Sequence, residues 1–240
     1  MKLRNPDFIT IYTGEKDSAV FSGTQGMLGD VSAGLREADG ALRLSLTADK
    51  TPVRYVRLRF NFTDEEKRHD SIKILGDTYE RSYGDLCWEG IVPERMMPWY
   101  MLVSNGSDRN PDCSGRLTEG FGVKVQPNAF VAWQYDGAGV TMLADVRCGG
   151  LGVILGGRTL DVCDIVFGEY RNVSAFDAGR QFCRLMCPVS VLPDHKVYGS
   201  NNWYYAYGKS SQSDIISDTK IVAGQCEGLS NIPYMVIDDG

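Results

Sequence analysis

A regular succession of short apolar strands over residues 8–170 constrains the fold of this chain more than any other feature. The stretch "GALRLSLTAD" alternates strictly, with Leu42, Leu44 and Leu46 on one face, and "VRYVRLRFNF" alternates in the same way. Such stretches recur about every ten residues, separated by Gly, Asn and Asp. Alternation of period two is typical of antiparallel strands that bury one face. The sequence therefore predicts a mainly β fold, with a large antiparallel β-sandwich over residues 1–173.

Two apolar segments inside this region carry predictions of their own. The segment "LGVILGG" (151–157) reads as a strand. The longer "CGGLGVILGG" (148–157) reads as a hairpin with glycine turns, because it fits neither the GxGxxG nor the GxxxxGK[ST] phosphate-binding pattern. The segment "PERMMPWYMLV" (93–103) is compatible with a ligand pocket, but adaptable Met and aromatic residues favour an interface between domains.

Charge and hydropathy exclude several classes of partner. The net charge is −6, from 25 basic and 31 acidic residues, and no Lys/Arg block is present, so nucleic-acid binding is not expected. No run of about eighteen apolar residues occurs, so no membrane partner is expected either. The opening "MKLRNPDFIT" lacks the apolar centre of a signal peptide. We therefore expect a cytoplasmic protein, unless a leader was removed before this numbering begins.

The cysteines and histidines give little sign of a metal or cofactor site. Seven cysteines occur without a CxxC motif, which predicts mostly buried, reduced thiols. Cys183 and Cys187 lie four residues apart, but neither His69 nor His195 is near them in sequence. His69 lies in a charged stretch that reads as a solvated loop, and His195 reads as a surface linker residue. We expect no metal and no cofactor.

The pattern changes after the predicted sandwich. "SAFDAGRQFCRLMCP" has apolar residues at near-helical spacing, with Ser174 and Asp177 forming a capping box and Pro188 ending the element. This predicts a helical linker over residues 174–196.

Residues 197–240 predict one βαβ unit. "KVYGSNNWYYAYG" reads as an aromatic-rich strand, and "IPYMVID" as a short buried strand. The segment between them reads as a helix capped by Ser211 and Asp214. One face of that helix carries Ile215, Thr219, Val222 and Cys226. Because a parallel strand pair needs cover on both faces, we expect this unit to begin a longer α/β domain or to dock on the sandwich.

The predicted strand ends bring aromatic and acidic residues together. Trp203 and its tyrosine neighbours follow the first strand, and Asp238 and Asp239 follow the second. Parallel sheets hold their ligands at the carboxyl ends of the strands. Aromatic faces stack on sugar CH groups, while carboxylates accept hydrogen bonds from sugar hydroxyls. Two plainer interpretations stay open: the acids form a solvated loop cap, and the aromatic residues fill a core.

These segments resemble the start of the catalytic barrel in α-galactosidase-type glycoside hydrolases, the melibiase clan of families 36, 27 and 31. There the first strand reads like G-W-x-S-W-Y-x-Y and the second ends in I-D-D-G-W, against "YGSNNWYYAYG" and "YMVIDDG" here. The resemblance implies that residues 197–240 begin a (β/α)8 barrel and that Asp238, Asp239 and Trp203 line the subsite of a terminal α-linked sugar. The chain departs from the family pattern at Ser200 and Asn202, which bears on substrate identity.

The resemblance further implies that the nucleophile and acid/base of a retaining α-glycosidase lie on later barrel strands. No catalytic residue is therefore expected in these 240 residues, and the isolated chain is expected to be inactive. The alternative is a stand-alone carbohydrate-binding or interaction module. An incomplete barrel exposes apolar surface, which favours homo-oligomers or partial disorder of the tail.

Overall fold

The structure, a computed structural model, describes residues 3–64, 66–67, 72–79, 86–105, 113–147 and 149–238. The chain divides into two compact units, with the boundary between Val189 and Ser190. The described part of the first unit is mainly β, and that of the second holds two α-helices and one pair of short strands. None of the described helices is long and apolar enough to cross a membrane.

The first unit consists of strands followed by a helix, and the second of a βαβ unit. Over the described residues of the first unit, the elements are β1 (Phe8–Tyr12), β2 (Ser18–Ser22), β3 (Gln25–Leu28), β4 (Val31–Ala38), β5 (Ala41–Thr47), β6 (Tyr55–Asn61), β7 (Lys73–Gly76), β8 (Met97–Pro98), β9 (Tyr100–Ser104), β10 (Leu117–Val123), β11 (Phe130–Tyr135), β12 (Gly139–Asp145), β13 (Thr159–Arg171) and α1 (Ala175–Met186). Those of the second unit are β14 (Gly199–Asn201), α2 (Trp203–Ala206), a 3₁₀ turn (Tyr207–Lys209), α3 (Gln212–Gln225) and β15 (Tyr234–Val236).

Two large antiparallel sheets form the first unit. One has the strand order β2-β1-β6-β12-β11-β8, and the other has the order β3-β4-β5-β13-β10-β9-β7. Residues of both sheets share one core, in which Ile9, Phe60 and Trp133 are fully buried. The predicted mainly β fold is confirmed, and the two sheets are consistent with a β-sandwich.

The alternation that predicted the strands is visible in their burial. Leu42, Leu44 and Leu46 of β5 are each at most 1% exposed, whereas Arg43 and Ser45 between them are partly exposed. Burying one leucine side chain contributes about 1.5–3 kcal/mol. The apolar face of β5 is therefore fixed toward the core, since a shift of one residue would expose all three leucines.

The strand predicted over residues 151–157 does not form. Val153 makes only an isolated bridge with Val53, through hydrogen bonds of 2.8 and 2.9 Å. Gly156 and Gly157 adopt positive φ angles of 60° and 75°. Because this conformation turns the backbone, the segment forms a loop after its single bridge.

Five residues of the segment 93–103 are buried in the first unit, so the predicted domain interface is wrong for these five: Met97, Pro98 and residues 101–103. Met97 and Leu102 are 2% exposed, and Met101 is fully buried. Trp99 is 37% exposed, and its indole packs edge-on against Phe130 of β11 at a centroid distance of 5.0 Å. The methionines fill gaps within the sandwich, a role that their flexible side chains suit.

Both predicted helix starts are confirmed, but only the second has the full capping box. The Ser174 hydroxyl accepts a hydrogen bond from the Asp177 N–H at 3.0 Å, at the start of α1. Ser211 and Asp214 form a reciprocal capping box at the start of α3. These bonds satisfy backbone donors that the first helical turn otherwise leaves without partners.

Helix α1 packs against a pair of glycines in the second sheet. Gly120 of β10 lies opposite Gly168 of β13 in the antiparallel register. A Cβ atom at Gly120 would lie 2.6 Å from Phe182 Cδ2, and one at Gly168 would lie 2.9 Å from the same atom. Phe182 is fully buried against this pair. The helix that the sequence placed in a linker is thus part of the first unit.

Asp30 joins two loops of the second sheet. Its Oδ2 accepts hydrogen bonds from the N–H groups of Asp49, Lys50 and Thr51 at 3.0, 2.6 and 3.1 Å, and its Oδ1 accepts one from the Thr51 hydroxyl. These hydrogen bonds hold the pKa of Asp30 well below its usual range. The bond from the Lys50 N–H has the largest effect, followed by those from the Thr51 hydroxyl and the Thr51 N–H. The carboxylate therefore anchors the loop after β5 to the turn before β4.

The second unit contains the parallel strand pair that a βαβ unit requires. Gly199 pairs with Tyr234, and Asn201 pairs with Val236. A Cβ atom at Gly199 would lie 1.9 Å from the Tyr234 carbonyl oxygen, so only glycine fits at this crossing. The predicted helix between the strands is present. Its residues Ile215 and Val222 and its C-cap Cys226 are partly buried, although Thr219 is exposed.

We predict that Gly120→Ala destabilises the first unit by about 1–3 kcal/mol, because the new methyl group overlaps the Phe182 ring. In a Phe182→Ala background, which by itself costs about 3–5 kcal/mol, the same change should cost almost nothing. Chemical denaturation of the four proteins measures the coupling. Gly34→Ala in β4 is the control, since an added Cβ there meets nothing within 4 Å. Equal costs in both backgrounds would contradict this packing.

A second prediction concerns pH. The pKa of Asp30 is depressed on folding, so its stabilising effect is present above the unfolded pKa of about 3.9 and is lost as pH falls below that value. Asp30→Asn should therefore lower the unfolding temperature at pH 7, and the difference from the wild type should shrink below about pH 4. Asp49→Asn, in the loop after β5 that Asp30 anchors, removes a like charge as a control. A difference that is constant with pH would show that the carboxylate charge is not what matters.

The parallel pair gives a third prediction. Gly199→Ala should separate β14 from β15, because the methyl group overlaps the Tyr234 carbonyl. The Tyr234 N–H, which donates to the Tyr198 carbonyl at 2.9 Å, should then exchange with solvent about tenfold faster or more. Hydrogen exchange measures this rate. Gly208→Ala should leave it unchanged, because that position has open space.

Candidate functional site

The candidate site lies at the carboxyl ends of β14 and β15 in the second unit. Because the two strands are parallel and in register, the residues that follow Asn201 and Val236 emerge at the same edge. Trp203 follows the first strand and Asp238 follows the second. Asp239, which the sequence also predicted here, lies outside the described residues.

The aromatic residues after β14 are helical, so the aromatic strand predicted from the sequence is wrong beyond Asn201. Residues Trp203–Ala206 form helix α2, and the following residues form a 3₁₀ turn. The Asn202 carbonyl accepts hydrogen bonds from the N–H groups of Tyr205 and Ala206 at 3.3 and 2.9 Å. The chain therefore turns away from the strand direction at once and keeps Trp203 close to the strand end.

Asn201 links the two predicted binding residues. Its Nδ2 donates to Asp238 Oδ2 at 3.3 Å, and its Oδ1 accepts from the Trp203 backbone N–H at 3.3 Å. One amide side chain thus joins the carboxylate of one strand end to the helix that follows the other. Asn201 was not predicted as a site residue from the sequence. The available signal was its position at the end of one parallel strand, next to the acidic end of the other.

Asp238 and Trp203 are both accessible to a ligand. Asp238 is exposed, and Trp203 is partly exposed, with its ring packed edge-on against Tyr207 at a centroid distance of 5.7 Å. The carboxylate can accept a hydrogen bond from a hydroxyl group, and the indole can present a flat apolar face to the same ligand.

The remaining polar residues around α2 have structural roles. Asn202 is 2% exposed and donates to Ser210 Oγ at 2.6 Å, which ties α2 to the start of α3. Tyr205 donates its hydroxyl to the Asp218 carboxylate on α3, and this hydrogen bond raises the pKa of the phenol. Both contacts hold α2, the helix that begins at Trp203, in place.

His195 lies at the opposite end of the strand pair. Its Nε2 is 2.9 Å from the Tyr234 hydroxyl, and its Nδ1 is 2.7 Å from an Asp194 carboxylate oxygen. Tyr234 is the first residue of β15, so these groups lie by the amino ends of the strands. His195 is exposed, in agreement with its prediction as a surface residue, and it belongs to a different region from Asp238. His69 lies outside the described residues.

The described cysteines form no site, and the prediction that they are mostly buried is wrong. Cys163 is buried, whereas Cys87 and Cys183 are exposed, and all six described cysteines are free thiols. Burial raises the pKa of Cys163, which keeps its thiol protonated and unreactive. Within the described ranges, no group of three or more His, Cys, Asp or Glu residues could hold a metal ion.

Comparison with known proteins adds no further identification. Neither a family model nor a curated protein matches this chain. The interpretation of the site therefore depends on its geometry and on the resemblance of its two motifs.

Proposed function

We propose that residues 197–238 provide part of a sugar-binding subsite in an α-galactosidase-like glycosidase. The observation that carries this proposal is the hydrogen bond from the Asn201 amide to Asp238 at the carboxyl ends of two parallel strands. It brings an exposed carboxylate, an amide and the start of the Trp203 helix to one edge. Ligands of parallel α/β sheets bind at this edge.

The proposed ligand is a terminal α-linked sugar. Asp238 would accept hydrogen bonds from sugar hydroxyls, each contributing about 1.5–3 kcal/mol because the acceptor is charged. Trp203 would pack its ring against the CH groups of the sugar. Asn201 orients the carboxylate and fixes the distance between the two binding residues.

This subsite has a binding role and no catalytic one. A retaining glycosidase needs two carboxyl groups about 5 Å apart that flank the scissile bond. The family that these motifs resemble carries that pair on its fourth and sixth barrel strands. We accordingly assign the nucleophile and the acid/base to later strands of a complete (β/α)8 barrel, of which β14, α3 and β15 would be the first βαβ unit.

Exposed apolar residues support the barrel assignment. Ile232 and Ile237, on either side of β15, are 84% and 67% exposed, and Val236 within it is 50% exposed. Ile221 on α3 is 56% exposed. Parallel sheets in known folds are covered on both faces, so this strand pair has the surface expected of an element that packs into a larger sheet.

We predict that the chain binds methyl α-D-galactopyranoside with a dissociation constant in the millimolar range, about −4 kcal/mol, since one subsite supplies few contacts. Asp238→Asn should weaken binding about tenfold or more, because it removes a charged acceptor and keeps the shape. The indole N–H signal of Trp203, assigned with Trp203→Phe, reports the binding by NMR.

Tyr204→Ala is the matched control, since Tyr204 neighbours Trp203 on α2 and is 69% exposed. This variant should bind the galactoside as the wild type does. If the galactoside instead perturbs only the first unit, and Asp238→Asn has no effect, the alternative of a stand-alone carbohydrate-binding module on the sandwich is favoured. Hydrolysis of an aryl α-galactoside by this chain would contradict the assignment of the nucleophile and the acid/base to later strands.

A further inference from the structure

Three polar side chains form a chain of hydrogen bonds at the amino ends of the strand pair in the second unit. The Tyr234 hydroxyl lies 2.9 Å from His195 Nε2, and His195 Nδ1 lies 2.7 Å from an Asp194 carboxylate oxygen. A hydroxyl within hydrogen-bond reach of a base, with the base oriented by a third group, is the arrangement that produces an activated nucleophile. Because Tyr234 is the first residue of β15, this cluster is separate from the proposed sugar subsite at the other end of the strands.

The aspartate determines the roles of the two ring nitrogens of the histidine. The Asp194 side chain is 98% exposed, so at neutral pH it is an ionised carboxylate, which can only accept hydrogen bonds. His195 must therefore carry a proton on Nδ1. In the neutral imidazole this leaves the lone pair of Nε2 to accept from the Tyr234 hydroxyl. The phenol thus directs its proton at a base.

Three further hydrogen bonds hold the histidine segment against the start of β15. The Tyr234 N–H donates to the Tyr198 carbonyl at 2.9 Å, and the Asn231 amide donates to the Lys196 carbonyl at 2.7 Å. The Tyr198 hydroxyl donates to the Asn231 carbonyl. The residues after His195 are therefore tied to those before and at Tyr234, so the base and the phenol are positioned before any reagent arrives.

Two tyrosines of α2 lack this arrangement and provide an internal comparison. Tyr205 donates its hydroxyl to the Asp218 carboxylate, and this hydrogen bond raises the pKa of the phenol, which opposes its ionisation. Tyr204 is exposed, and its hydroxyl contacts no base among the described residues. Tyr234 is 47% exposed, so a small reagent can reach a hydroxyl that has an imidazole beside it.

We propose that Tyr234 is a nucleophile that accepts the acyl group of a small activated ester, with His195 as its general base and Asp194 as the positioning residue. The phenol oxygen attacks the carbonyl carbon of the ester and forms a new C–O bond, while the phenol proton passes to His195 Nε2. The bond between the carbonyl carbon and the aryloxide breaks, and the aryloxide leaves with the electron pair. The imidazolium then releases its proton to water.

The class of acyl donor follows from the position of the cluster. An exposed hydroxyl can be reached by small esters without a binding cleft. An aryl ester suits it because its aryloxide leaving group needs no proton from a general acid. This inference does not rest on the sugar subsite, which lies at the other end of the strands.

The test is acetylation of the full chain by p-nitrophenyl acetate at neutral pH. Mass spectrometry of proteolytic peptides, taken over a time course, gives the rate at each tyrosine. We expect Tyr234 to be acetylated at least about tenfold faster than Tyr204, since a positioned general base contributes about 10²–10⁴-fold. The reaction at Tyr234 should be slower in D2O than in H2O, because a proton is transferred in the rate-determining step.

His195→Gln should lower the rate at Tyr234 to about that of Tyr204, because the amide can bond the hydroxyl but is not a base. Hydrogen exchange of the Tyr234 N–H shows whether the strand pair is intact in this variant. If the pair opens, Asp194→Asn decides the question, since Asp194 is exposed and its change should not affect folding.

In Asp194→Asn the side-chain amide can donate to Nδ1, which moves the imidazole proton to Nε2 and removes the base from the phenol. The NMR signals of the ring nitrogens report this change of tautomer, and acetylation of Tyr234 should slow with it. Equal rates at Tyr234 and Tyr204 would overturn the proposal. So would an unchanged rate in His195→Gln with the strand pair intact, an unchanged rate in Asp194→Asn, or equal rates in D2O and H2O, which would make the imidazole the nucleophile.

Discussion

The packing of both units depends on close contacts at glycines, where no side chain separates the backbone from its neighbour. In the first unit, Gly120 and Gly168 leave room for the Phe182 ring on one face of the second sheet. In the second unit, Gly199 leaves room for the Tyr234 carbonyl, without which the parallel pair could not form. Protein interiors are packed too densely to absorb a methyl group at such points. The glycine pair also fixes which residues of β10 and β13 face the main core, because neighbouring side chains must alternate.

Different interactions stabilise each of the two units internally. The first has an extensive apolar core shared by two sheets. In the second, Asn202 is the only buried residue among the described positions 190–238, and it is polar. Capping bonds and the Asn202–Ser210 contact order this unit locally, but a helix of 14 residues is marginal without tertiary packing. A strand pair with so little burial supports our proposal that it belongs to a larger parallel sheet.

Period-two alternation and capping boxes made most of the fold predictable, because both depend on neighbours in sequence. They placed β5, β6, α1 and α3 correctly. The aromatic run after Asn201 was misassigned because β-propensity cannot reveal that the Asn202 carbonyl accepts two helical N–H bonds. The buried residues within 93–103 were misassigned because an apolar run does not show which surface buries it. The opposition of Gly120 and Gly168 depends on the register between two strands distant in sequence, and the sequence alone does not reveal that register.

The structure also separates two departures from the family pattern that looked equivalent in sequence. Asn202, where the resembled pattern has serine, is buried and donates to Ser210, so in this chain it attaches α2 to the start of α3. Ser200, where the family has tryptophan, is exposed on β14 beside Asn201. Replacing an indole by a hydroxymethyl group there removes apolar contact area. A difference in the sugar accepted by the proposed subsite is therefore expected to arise from position 200, because Trp203 matches the resembled pattern and Ser200 does not.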